Sequence, residues 1–192
     1  MSDRIRIKDV RVLSDDWYVL KKTTFDFKRS NGEWQTLNRE TYDRGNGATI
    51  LLINSKRRAL ILTRQFRFPA FVNGLEDGFL LEACAGLLDS ADAEETIRRE
   101  VADETGFHIE RPHKICELYM SPGSVTEKLY FFMAEYSHDL RVSNGGGDAA
   151  EGEDIEIAEL PYEEAFAMMR SGEIKDAKTL ILLQHLALQD RP

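Results

Sequence analysis

The stretch Ala85–Phe107, AGLLDSADAEETIRREVADETGF, decides how the rest of the chain is read. It predicts a short strand ending at a glycine, a turn, and one acidic helix. Asp92-x-x-Glu95 forms a capping-box arrangement at the helix start. Ile97 and Val101, four apart, give the helix a buried side, Glu95 and Arg99 can pair on the exposed side, and Gly106 ends it. Glu100, Asp103 and Glu104 stand at i, i+3 and i+4, which puts three carboxylates on one face. Like charges at that spacing repel by ~0.2–0.5 kcal/mol per pair, and a cation between them reverses the sign. An oxygen-only site suits a hard ion such as Mg²⁺ or Mn²⁺, which keeps waters and takes phosphates as further ligands. The competing reading is an ordinary solvated acidic face. Against it stand Gly86, where backbone can approach a ligand closely, and Arg99, placed to hold a carboxylate.

The 192 residues fit one domain, or one domain with an arm, and 42% hydrophobic with 31% charged residues is ordinary for a globular protein. A formal charge of -9 argues against a general nucleic-acid partner. It does not exclude an anionic substrate, because a bound metal and local arginines set the field in a site. Cys84 and Cys116 lie in apolar strand patterns without metal-ligand spacing and read as free thiols of a reducing compartment. The N-terminal MSDRIRIKDVRV lacks the apolar core of a signal peptide, and no apolar run is long enough to span a membrane. The expectation is a cytoplasmic protein with no membrane partner.

Residues 4–13 alternate apolar and charged side chains, Trp17–Phe27 and Glu33–Tyr42 do the same, and Asn31-Gly32 between the latter two predicts a hairpin. Residues 1–44 therefore read as an antiparallel arm added to a main domain over 45–192. In that domain Ala48–Ile53, Ala59–Phe66, Phe79–Ala85, Lys114–Met120, Leu129–Tyr136 and Asp154–Leu160 read as strands. Pro161 opens a helix over 162–170, and Asp176 caps a last one through Leu188. Asn144-Gly145-Gly146-Gly147 reads as flexible loop. Strands with helices interspersed predict an α/β fold, a mixed sheet covered by helices. The chain has neither a P-loop nor a G-x-G-x-x-G motif, so phosphate binding by those routes is not supported.

Gly86, then Arg99-Glu100-Val101-x-Asp103-Glu104-x-Gly106-Phe107, resembles the Nudix box, G-x5-E-x7-R-E-U-x-E-E-x-G-U, where U is a bulky apolar residue. There are two departures. The segment from Gly86 to Arg99 is one residue short, with Asp92 near the place of the first Glu, and Asp103 replaces the first Glu of the E-E pair. Tyr42–Ala48, Arg64–Arg67, Glu117–Gly123 and Gly145–Gly147 are similar to the branch of that family that cleaves ADP-ribose and GDP-mannose, and most similar to its GDP-mannose members. The resemblance implies an α/β/α sandwich and a homodimer whose N-terminal arms are exchanged. It implies Mg²⁺-dependent, or Mn²⁺-dependent, hydrolysis of a nucleoside diphosphate sugar, GDP-mannose giving GMP and mannose 1-phosphate.

The resemblance also implies roles. Metal would be held by the Ala85 carbonyl, Glu100, Glu104, Asp103, and Glu153 from the glycine-rich loop, with Glu151 competing for that last place. Glu127, in the loop after Ser121-Pro122-Gly123, would orient or deprotonate the attacking water, with Glu104 and Arg99 completing the catalytic set. Substrate would be met by Trp17, Arg39 and Glu40 of the arm, by Arg67 as a phosphate clamp, by the Ala85-Gly86-Leu87 segment, by Glu104, Glu127 and Glu153, and by Lys178. The alternatives are an ADP-ribose or ADP-sugar hydrolase on the same scaffold, or a nucleotide sensor without turnover.

Overall fold

A computed structural model describes residues 3–88 and 92–190, and of Glu151 only the backbone. The turn expected between the glycine-ended strand and the acidic helix lies outside the described residues. The chain divides into two compact units: Met1–Asn46 with Leu118–Leu129, and Gly47–Glu117 with Tyr130–Pro192.

The first unit is built on a three-stranded antiparallel sheet, β1 (Ile5–Asp15), β2 (Val19–Lys28) and β3 (Trp34–Asp43), in that order. The hairpin expected at Asn31-Gly32 joins β2 to β3: Gly32 takes φ +87, and the Asn31 side chain accepts the Glu33 amide. The pairing of β1 with β2 slips between Ile7 and Asp9. That bulge reverses the parity of the residues that follow, up to a second slip between Val12 and Ser14. As a result Ile5 and Ile7 share a face with Val10 and Val12, opposite Phe27, Phe25, Thr23 and Lys21 of β2. The sheet thus has one apolar face, and a polar one carrying Asp9, Arg11, Lys22, Thr24 and Asn38.

The second unit contains a seven-stranded sheet: β4 (Gly47–Asn54), β5 (Ala59–Phe66), β6 (Phe79–Glu82), β7 (Cys84–Leu87), β8 (His113–Tyr119), β9 (Lys128–Glu135) and β10 (Glu156–Pro161). The order is β10-β5-β4-β9-β8, with β6 on β5 and β7 on β4. The ends of β8 and β9 from Leu118 and up to Leu129 count with the first unit. Among the described residues four α-helices follow one another: a short α1 (Phe68–Val72), then α2 (Ala93–Glu100), α3 (Tyr162–Ser171) and α4 (Ala177–Gln189). Every residue from Ala48 to Leu52 is buried, so both faces of β4 are covered. Ala48, Ile50 and Leu52 join Ile97 and Val101 of the α2 segment in one core. Leu51, Leu60 and Leu62 are buried as well, as are Leu182, Leu183 and Leu186 on α4, which packs on β4. Helices on both faces of the sheet make the three-layer α/β arrangement that the alternation of strands and helices predicts. Among the described residues, no helix is long and apolar enough to cross a membrane.

Candidate functional site

The apolar run Phe79–Ala85, expected as one strand, is broken in two at Ala83. β6 pairs with β5 and β7 with β4, so the chain changes neighbour at that point. The Ala83 amide, freed from the ladder, donates to the Thr179 hydroxyl at 2.6 Å. The switch sets Ala85, Gly86 and Leu87 opposite Thr49, Ala48 and Gly47, and leaves Glu82 at the end of β6.

The acidic helix is also not uniform. Asp92 caps it by accepting the Glu94 amide at 2.7 Å, and Glu94 pairs with an arginine one turn on, Arg98. The α-helix stops at Glu100, and Val101–Thr105 forms a single π-helical turn. The Thr105 hydroxyl bonds back to the Val101 carbonyl at 2.5 Å, and Gly106, at φ +75, ends the element. Across this turn the three acids separate by depth. Glu104 is 3% exposed, Glu100 is half-buried and Asp103 faces out.

The glycine-rich loop is fastened to this turn and is not the flexible segment its composition predicts. The Gly146 and Gly147 amides donate to the carbonyls of Glu104 and Asp103, at 2.9 and 3.1 Å, groups that a helix end leaves without partners. Gly145 and Gly147 have positive φ. A Cβ on Gly145 would meet the Glu104 carbonyl at 2.6 Å, and one on Gly147 would land on the Glu153 carboxylate. The Asp148 amide holds that carboxylate at 2.9 Å. Gly86 lacks a Cβ for the same reason: its place is filled by the carboxyl of Glu100, which also accepts from Arg99 at 3.2 Å.

The electrostatics follow from this packing. Burial pushes the Glu104 carboxyl up to about 8, the charges of Glu100 and Glu153 push the same way, and the Cys84 thiol and Arg67 oppose. Burial raises Glu100 too, against its bond to Arg99 and with help from Glu153 and Asp103. Among the described residues Glu104 Oε2, which is buried, has no hydrogen-bond partner. An orphaned carboxylate oxygen beside two further acids is what a hard cation would satisfy, so the residues fit the metal the box implies. Among the described residues no three acids, imidazoles or thiols are grouped so as to hold a metal ion by themselves, so water or phosphate oxygens would have to supply much of the shell. Glu151, the rival to Glu153, has its side chain outside the described residues.

Arg67 and Lys178, far apart in sequence, meet on one buried carboxylate. Glu82 is 4% exposed; its Oε2 accepts from Arg67 Nε and Nη2 at 3.0 and 2.6 Å, and its Oε1 lies 3.4 Å from Lys178 Nζ. Lys178 also reaches Asp176, the N-cap of α4, at 3.1 Å. In the first unit, the loop after Ser121-Pro122-Gly123 is bound to the end of β3, with Tyr42 and Ser124 bonded and Thr126 bonded to Tyr42 and Asp43. That places Glu127, largely buried, 3.6 Å from Arg44. Arg44 in turn lies over Tyr18, which packs edge-on against Trp17 and Tyr42. Trp17 is 79% exposed. Arg39 and Glu40 are neighbours on β3 and so point to opposite faces, Arg39 to the apolar face with Thr23 and Glu40 to the polar face with Lys22.

Sequence reasoning gave no site role to Glu82, Cys84 or Arg44. A glutamate ending the apolar run Phe79-Leu80-Leu81 was the available signal for Glu82. Nothing in sequence marked Cys84 as the thiol beside Glu104, or Arg44 as the partner of Glu127.

Two family models match: GDP-mannose pyrophosphatase NudK N-terminal domain over residues 4–42 and NUDIX domain over residues 43–183. Their junction falls at the end of β3. A GDP-mannose pyrophosphatase of Pectobacterium atrosepticum is 54% identical over 189 residues, covering 98% of this chain and 97% of that protein. One of Salmonella arizonae is 52% identical over 186 residues, covering 97% and 96%. A solved structure described as an ADP compounds hydrolase shares the fold at a TM-score of 0.73 and 19% identity, covering 99% of this chain and 98% of its own. With a NUDIX domain over most of its length and relatives above 50% identity end to end, the chain belongs to the Nudix hydrolase family.

Proposed function

We propose that this chain is a Mg²⁺-dependent pyrophosphohydrolase that cleaves GDP-mannose to GMP and mannose 1-phosphate. The observation that carries the metal-dependent chemistry is Glu104, a buried carboxylate with an oxygen that has no partner among the described residues, beside Glu100 and Glu153. The substrate rests on the names of relatives at 52–54% identity across nearly the full chain. The ADP compounds hydrolase, at 19% identity, speaks for the fold alone.

Glu100, Glu104, Glu153 and the Ala85 carbonyl would hold Mg²⁺, or Mn²⁺ in its place, with Asp103 acting through its charge from outside. Bound there, the ion would neutralise the bridging phosphates and lower the pKa of a coordinated water. Arg99 restrains the Glu100 carboxylate. Arg67 and Lys178 bind phosphate oxygens, and Gly86 and Leu87 offer backbone to the substrate. Glu127, held by Arg44, orients the attacking water and takes its proton. The water oxygen bonds to one phosphorus as the bridging P–O bond breaks, and the freed phosphate leaves as an anion. Trp17 and Arg39 contact the nucleotide from a partner's arm, whose apolar face makes the homodimer, while Glu40 acts from the polar face. The free thiols, Cys84 and Cys116, suit a cytoplasmic setting.

The test is a panel of GDP-mannose, ADP-ribose, ADP-glucose and NADH with Mg²⁺. A kcat/KM for GDP-mannose at least tenfold above the others, about 1.4 kcal/mol of transition-state preference, is expected. ADP-ribose ahead would replace the substrate. Nucleotide binding without turnover of any of them would make the chain a sensor. Glu104→Gln is expected to abolish turnover while the fold persists, and full activity in that variant would sink the metal assignment.

A further inference from the structure

Of the described charged groups outside the metal cluster, Glu82 is the most deeply buried. A carboxylate at 4% exposure loses several kcal/mol of hydration, and an apolar residue at the end of β6 would stabilise the fold as well or better. The carboxylate is therefore there for its partners. It divides its two oxygens between two cations, Arg67 on Oε2 and Lys178 on Oε1.

The geometry limits what each cation can do. Arg67 is gripped on its Nε–Nη2 edge, and among the described residues its Nη1 has no hydrogen-bond partner. Its side chain remains 39% exposed, so one edge of the fork stays open to an incoming phosphate. Lys178 is held on two sides, by Glu82 and Asp176, with its side chain 11% exposed.

We propose that Glu82 is a positioning residue: it aims Arg67 and Lys178 together as one phosphate-binding pair. This rests on the hydrolase reading above for the identity of the phosphate ligand. The Glu82 carboxylate itself touches no substrate.

The experiment is a mutant cycle on the full-length protein with GDP-mannose and Mg²⁺. Glu82→Gln is expected to raise KM at least tenfold while kcat changes less than threefold, because binding shared by ground and transition states is lost. In an Arg67→Met, Lys178→Met background the same Glu82→Gln change should alter KM less than twofold. Glu82→Asp, which keeps the charge and shortens its reach, should fall between wild type and Glu82→Gln, and it carries the test if Glu82→Gln does not fold. The metal-free dissociation constant for GMP, measured by calorimetry, should weaken at least tenfold in Glu82→Gln. An unchanged KM in Glu82→Gln, or an equal KM rise with and without Arg67 and Lys178, would overturn the proposal. A wild-type protein that binds GMP but does not hydrolyse GDP-mannose would overturn the function above instead, and the GMP measurement would still decide the role of Glu82.

Discussion

Glu104 carries the largest unfavourable electrostatics in the site. Its carboxyl titrates near 8 when folded, against an ordinary value of 4.5. An unfolded chain sheds that proton near pH 4.5, whereas the folded chain keeps it to about 8. Between those values the folded state binds more protons, so stability falls as pH rises, and the loss is complete above about 8. At ~1.4 kcal/mol per unit the loss is roughly 3–5 kcal/mol in metal-free protein. The acids with depressed values, Asp26, Asp43, Glu159, Glu163 and Asp190, act in the opposite sense and only in the acid range, so they do not mask this slope. Thermal unfolding in a chelator should show Tm dropping from pH 5 to pH 8. Glu104→Gln should flatten that slope, and Mg²⁺ should raise Tm more at pH 8 than at pH 5. A slope as steep in Glu104→Gln as in wild type would assign it to other groups.

At the scale of elements, the site depends on backbone that a side chain would obstruct. Gly147 sits at φ +78 with the Glu153 carboxylate where its Cβ would be. Gly172 ends α3 at φ +83 with open space around it. Alanine at either should cost about 1–2 kcal/mol for the left-handed backbone, read as a shift in the urea midpoint. Only Gly147→Ala should also displace Glu153, lowering kcat at least tenfold, while Gly172→Ala keeps wild-type kcat. Equal kcat in the two variants would remove Glu153 from the reaction. These elements also divide what was legible in the sequence from what was not. The caps Asp92 and Asp176, the Asn31-Gly32 turn and the order of acids after Gly86 are local signals, and each is where sequence placed it. The π-helical turn, the split at Ala83 and the fastening of Gly146 and Gly147 to the Asp103 and Glu104 carbonyls arise from tertiary partners. Glycine-rich composition reads as flexibility unless the groups its amides will meet are known. The convergence of Arg67 and Lys178 on Glu82 spans more than a hundred residues, and no periodicity can announce it.

At the scale of the whole molecule, the arm raises a question of solvent. Its three-stranded sheet has an apolar face on which Ile5, Ile7, Val10 and Val12 are all exposed, Ile7 by 59%. The bulge after Ile7 is what keeps these four on one side, a correction that a solvated ribbon would not need. A contiguous apolar sheet face on a protein of net charge -9 calls for a cover, and a second copy offers an identical face related by twofold symmetry. Arg39 stands on that same face, opposite Thr23, so dimerisation through it would carry Arg39 into the partner's reach. Ile7→Glu combined with Val10→Glu should convert a dimer to a monomer in sedimentation velocity, because two buried like charges per protomer would face their counterparts across the twofold. The Nudix unit, with its own core, should stay folded. If Trp17 and Arg39 serve the neighbouring site, KM for GDP-mannose should rise at least tenfold on monomerisation, and Arg39→Ala in the dimer should reproduce part of that rise. A wild-type protein that sediments as a monomer, or a monomeric variant with unchanged KM, would confine the arm to a role within its own chain.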